Sequence, residues 1–164
     1  MNTTTRSNSW LLLGLGNIHR RDDGAGIYVT RELLGRGLVG ADIRMLSGEA
    51  TEILNAWAGA SRVVIVDAVD SGKAPGTIHR IAVGGDPLPK LPGTQSTHGL
   101  GLAEAIELGS VLGQLPRELV ILGIEGNDFT RGEGLTECVQ STADLLIQHV
   151  LDSQGDLSCT SILS

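Results

Sequence analysis

Apolar and polar positions alternate in blocks along the chain, and the period within each block changes from strand-like to helix-like. Trp10 to Leu15, WLLLGL, is a short apolar run closed by Gly16 and predicts a buried strand. From Asp23 to Leu34 the period becomes helical, with Gly26, Val29 and Leu33 on one face and Gly35 and Gly37 as the stop. Ala41 to Leu46 predicts a second strand, and Thr51 to Trp57 a short helix with Ile53, Leu54 and Trp57 inward. Arg62 to Ala68, RVVIVDA, contains four successive β-branched residues, the signature of a strand covered on both faces. Thr77 to Val83 predicts a further strand after the Asp70–Gly76 turn. The segment GGDPLPKLPGTQST, with three prolines, predicts a loop. Leu100 to Leu112 predicts a helix with Glu104 and Glu107 outward, and Leu119 to Ile124, LVILGI, the last strand. Leu135 to Leu151 predicts the final helix, with Leu135, Val139, Thr142, Leu146 and Val150 inward.

The resulting order, β-α-β-α-β-β-α-β-α, predicts an α/β fold: an open, mostly parallel five-stranded sheet covered by helices on both faces, with one antiparallel edge strand. Residues 1–152 form the single expected domain and 153–164 a flexible tail. Ligands of such sheets collect at the carboxyl ends of the strands. That rule sorts the candidate residues.

Composition narrows the function. With 164 residues and 41% hydrophobic content, the chain can bury a core. The net charge of −7 and pI near 4.9 disfavour binding to phosphate backbones. Trp10, Trp57, Tyr28 and Phe129 are too few aromatics for a base-stacking platform. Cys138 and Cys159 form no CxxC, so neither a disulfide framework nor a thiolate zinc site is expected, and Cys138 reads as a small core residue. No signal peptide and no membrane-length apolar run is present, which points to a soluble cytoplasmic protein. The absence of a long exposed apolar stripe points to a monomer.

Three acidic positions and one histidine stand where this architecture builds sites. Asp22 and Asp23 follow the first strand; one can cap the coming helix, and the other is then left over. Asp67 stands where RVVIVDA leaves the sheet, and a carboxylate at the end of a doubly covered strand needs donors or a metal. His98, in STHGLGLAEAI, stands at a helix start. His79, inside the edge strand, and His149, near the end of the last helix, carry less weight. Asp23, Asp67 and His98 therefore come from three separate loops toward one edge of the sheet. Two carboxylates and an imidazole suit nickel, zinc, iron or manganese better than calcium. A dinucleotide is disfavoured: GLGNIH places His19 where the third glycine of GxGxxG belongs, and two aspartates would face the pyrophosphate.

The blocks GLGN, DDGAG, VVIVDAVDSGKAPGTIH, STHGLGLAEAI, LVILGIEG and GEGLT, in that order from Leu11 to Val150, resemble the hydrogenase maturation proteases. These endopeptidases trim the C-terminus of the nickel–iron hydrogenase large subunit. The resemblance implies an α/β/α sandwich and a metal-binding trio at Asp23, Asp67 and His98, with Asp23 and Asp67 also at the catalytic centre. It implies that the trio recognises nickel carried by the large-subunit precursor, so that the cut follows metal insertion. Many members carry Glu at the position of Asp23. The segment IHRR, with His19, Arg20 and Arg21, is more basic than usual and could meet an acidic part of the substrate. LSGEAT replaces the commoner Gly-Gly-Thr, so Glu49 bears on which hydrogenase is served. Two other readings compete. One is a non-catalytic nickel-sensing maturation factor. The other is a peptidyl-tRNA hydrolase-like esterase, which wants His and Asn where Asp22 and Asp23 stand, and a basic RNA-facing surface.

Overall fold

The computed structural model describes residues 9–85, 87–93 and 97–156, with the side chains of 97–100 outside that set. The elements run β1 (Trp10–Leu15), a 3₁₀ turn (Arg21–Gly24), α1 (Ala25–Gly35), β2 (Ala41–Leu46), α2 (Ala50–Trp57), β3 (Arg62–Val69), β4 (Ile78–Val83), α3 (Thr97–Val111), β5 (Glu118–Glu125) and α4 (Glu137–Asp152). The sheet order is β2-β1-β3-β5-β4. β1 pairs in parallel with β2 and β3, and β3 with β5. β4 pairs antiparallel with β5 at the edge. The expected α/β sandwich is the fold observed.

Strand alternation splits the core into two layers. Leu12, Val64, Val66, Leu122 and Ile124 face α1 and α4, where they meet Val29, Leu33, Val139, Leu146 and Ile147. Leu13, Val63, Ile65, Leu119 and Ile121 face α2 and α3, where they meet Ile53, Trp57, Leu102 and Ile106. β3 supplies both layers, which is why its apolar run is unbroken. Each fully buried side chain of this size contributes about 1.5–3 kcal/mol.

The structure corrects the expectation for one position of α4. Cys138 is exposed, not core. It precedes the buried Val139 by one residue, which turns it roughly 100° off the apolar face of α4. Of the segment read as a tail, residues 153–156 are described. The Ser153 hydroxyl donates to the His149 carbonyl at 2.7 Å, and the Gly155 carbonyl accepts from the Arg62 guanidinium at 2.7 Å. Cys159 and the remainder of that segment lie outside the described residues. Among the described residues no helix is long and apolar enough to cross a membrane.

Candidate active site

The site grows from a close helix–strand crossing. Gly26, in the first turn of α1, lies against the carbonyl oxygen of Val66; a Cβ there would overlap that oxygen and crowd Leu15. Gly14 in β1 is equally tight under Thr30, whose hydroxyl donates to the Gly26 carbonyl at 2.9 Å. Side chains on these glycines would push α1 off the sheet. Their absence brings the turn ahead of α1 down onto the ends of β1 and β3. Gly16 completes the approach: it has φ +137° and its backbone lies against the Asp23 carbonyl. Asp23, three residues before Gly26, and Asp67, the residue after Val66, thereby share the carboxyl end of the sheet.

Both carboxylates are buried, Asp23 at 4% and Asp67 at 6% exposure. Asp23 accepts the Asn17 N–H at 3.1 Å. Among the described residues, the hydrogen bond Asp67 accepts comes from its neighbour, the Ala68 N–H, at 2.8 Å. Burial, and next the negative charge of Asp23, push the Asp67 carboxyl well above the ordinary aspartate range, and the Ala68 bond offsets this only in part. A pair of this kind holds a proton or draws in a cation.

His98 lies in the first turn of α3. That end of α3 packs on the β2–α2 loop: Gly101 lies against the carbonyl of Gly48, which has φ +104°. The His98 side chain lies outside the described residues. Among the described residues no cluster of three histidine, cysteine or acidic side chains could hold a metal, so the described part of the trio is the Asp23–Asp67 pair.

Asp22 does something else. It is fully buried, and its two oxygens accept four hydrogen bonds: from the N–H groups of Asn127, Asp128 and Thr136 at 2.8, 2.9 and 2.7 Å, and from the Thr136 hydroxyl at 2.8 Å. Thr136 is the N-cap of α4. The helix that follows Asp22 in sequence, α1, has Gly24 as N-cap and no side-chain cap bond. Asp22 thus serves the start of the last helix rather than the next one. Arg21, at φ +46°, makes the kink that turns the two aspartates apart.

Glu125, at the end of β5, is a second buried carboxylate and was not among the sequence candidates. It accepts the Ser71 N–H and hydroxyl at 2.7 Å each, the Gly72 N–H at 3.0 Å, and stands 2.8 Å from His79 Nε2. It pins the β3–β4 turn, and this gives His79 its place. Burial would raise the Glu125 carboxyl, but the hydrogen bonds from Ser71, His79 and Gly72 outweigh it and hold the group below the usual range. The available signal was the one that marked Asp67: an acidic residue closing an apolar strand, here LVILGIE. Glu49 is exposed and His149 lies half-buried.

The two shifted carboxyls give opposite pH signs. Asp67 has a raised native pKa, so the folded chain binds the extra proton. Its contribution to stability is fully present below the unfolded value near 4 and is lost as pH rises through the native one. Urea unfolding from pH 4 to 8 will therefore show Asp67→Asn gaining on the wild type as pH rises; a constant difference would show that Asp67 does not titrate as described. Glu125 has a lowered native pKa, so its contribution is present above the unfolded value near 4.3 and is lost as pH falls through the native one. Glu125→Gln will cost roughly 1–3 kcal/mol at pH 7, and less in acid. An equal cost at both pH values would contradict the charged hydrogen-bond network.

The comparisons with known proteins agree with one another. The family model HycI, described as hydrogenase maturation protease, matches residues 47–153. The chain belongs to the hydrogenase maturation protease family. The hydrogenase expression/formation protein HupD of Bradyrhizobium diazoefficiens is 32% identical over 133 residues, covering 79% of this chain and 68% of that protein. The hydrogenase 2 maturation protease of Escherichia coli is 29% identical over 145 residues, covering 86% and 87%. The solved structure of the hydrogenase maturating endopeptidase HybD from E. coli superposes with a TM-score of 0.70 at 25% identity, over 88% of this chain and 91% of that one. As a hydrogenase maturation protease the chain is a peptidase.

Proposed function

We propose that this protein removes the C-terminal extension of a nickel–iron hydrogenase large-subunit precursor once nickel is in place, and that Asp23, Asp67 and His98 take hold of that nickel. The ion belongs to the substrate. The observation that carries this reading is the Asp23–Asp67 pair: two buried carboxylates, where burial first and the charge of Asp23 second raise the proton affinity of Asp67. A cation removes that repulsion, and two oxygen donors with one imidazole suit nickel while leaving other positions to the substrate's own ligands. Nickel capture at this edge would bring the segment beside the metal against the same two carboxylates. Asp67, beside the captured segment, is the group suited to take a proton from the attacking water, with Asp23 holding the metal side.

Mass spectrometry of a nickel-loaded precursor, before and after incubation, tests the reaction. The expected result is a shortened large subunit and one defined C-terminal fragment, with neither formed by Asp23→Asn or His98→Ala. A precursor that binds but keeps its full mass would make the protein a nickel sensor without a cut.

A further inference from the structure

A cleft of about 520 Å³ lies beside the acidic pair, lined by Asn17, His19, Arg20, Arg131, Gly132 and Glu133. We infer that it takes an acidic side chain of the precursor's C-terminal extension, held between the guanidinium groups of Arg20 and Arg131. The inference rests on the proteolytic reading above and specifies how that site chooses its substrate.

Charge is the first support. The chain carries a net charge of −7, yet this cleft holds two arginines with no carboxylate partner among the described residues. Arg20 Nε donates to the Phe129 carbonyl at 3.3 Å, and Arg131 is exposed. The one acidic group in the lining, Glu133, sits 3.6 Å from His19 Nδ1. Arg21, the third arginine nearby, is turned to Asp128 at 3.5 Å. A guanidinium presents a planar fork of donors that matches a carboxylate, so Arg20 and Arg131 form a ready anion site.

Rigidity is the second support. The walls are the loop after β1 and the loop after β5, zipped together by backbone: the Arg21 N–H donates to the Gly132 carbonyl and the Gly132 N–H to the His19 carbonyl, both at 2.9 Å. The buried Asp22 clamps the same loops from below. Such a site binds without first ordering itself.

Position is the third. Asn17 lines the cleft and its N–H holds the Asp23 carboxylate. An extension whose metal-proximal end lies at Asp23 and Asp67 passes this cleft within a few residues of the cut. That favours an acidic side chain over the extension's distant terminal carboxylate.

The test uses the full-length protein and nickel-loaded precursor. Arg131→Glu, and Arg20→Gln with Arg131→Gln, are expected to raise KM roughly tenfold or more while kcat stays within about twofold, and raised salt is expected to weaken the wild type toward the variants. Changing the extension's acidic residue to Lys should rescue Arg131→Glu. Circular dichroism confirms that the variants fold; among the described residues the Arg131 side chain makes no hydrogen bond or ion pair whose loss would unfold them. Unchanged KM in both variants overturns the inference. So does an equal loss on a precursor whose extension acids are amides, an extension with no acidic residue, or sensitivity only to amidation of the terminal carboxylate. Fluorescence anisotropy of the labelled extension peptide, with and without those amides, reads the cleft without any cutting. Should the wild type fail to shorten the precursor, the proteolytic reading falls while the anisotropy still decides the cleft.

Discussion

Asp67→Asn is expected to lower the rate of precursor trimming by at least about a hundredfold and to raise thermal stability at the same time. Both effects follow from one arrangement. The Asp67 carboxyl is buried beside Asp23 and, among the described residues, accepts a single amide N–H, from Ala68, so the ionised form costs folding free energy. A neutral amide of the same shape removes that cost. The expected gain at pH 7 is a rise in Tm, at about 2–4 °C for each kcal/mol in a chain of this size. The same substitution takes away an anionic ligand and the group suited to accept a proton. A variant that is more stable and inactive is the mark of a strained functional pair. A variant that is less stable, or that trims at the wild-type rate, would show Asp67 to be an ordinary strand-end residue.

Asp22→Ala is expected to cost roughly 3–5 kcal/mol of folding stability. It strands three backbone N–H groups and one hydroxyl that a single buried carboxylate now satisfies. The damage spans the molecule, because those donors lie on the loop after β5 and at the N-cap of α4. A shift of the urea midpoint, with unchanged slope, measures it. Asp23→Asn makes the control: it lowers trimming without a comparable loss of stability. Similar stability losses for both substitutions would contradict the division of labour between the adjacent aspartates.

That division could not be read along the chain. Hydrophobic periodicity gave β1 its ends, because apolar run and glycine stop coincide there. It gave β3 its central place, because only a strand covered on both faces reads Val-Val-Ile-Val. It placed Asp67 at the sheet's carboxyl end for the same reason. It did not separate Asp22 from Asp23, since the donors that claim Asp22 lie 105 to 114 residues away. The expected helix from Asp23 begins instead with a 3₁₀ turn, because Arg21 takes a left-handed backbone angle and the Asp22 side chain is committed elsewhere. Glu125 closes its strand as Asp67 does, but its donors, Ser71 and Gly72, come from a turn that carries no such signal in the sequence. Cys138 stands one step of the helical period away from the buried Val139, a difference too small for an apolar count to resolve.

The most direct measurement compares nickel-loaded and metal-free precursor, offered to the wild-type protein at equal concentration, with the shortened large subunit followed by mass. If the buried pair reads the substrate's metal, the loaded precursor is trimmed and the metal-free one stays whole. Trimming of both at the same rate would mean that Asp23 and Asp67 serve the cut without sensing nickel, and the central claim would be lost.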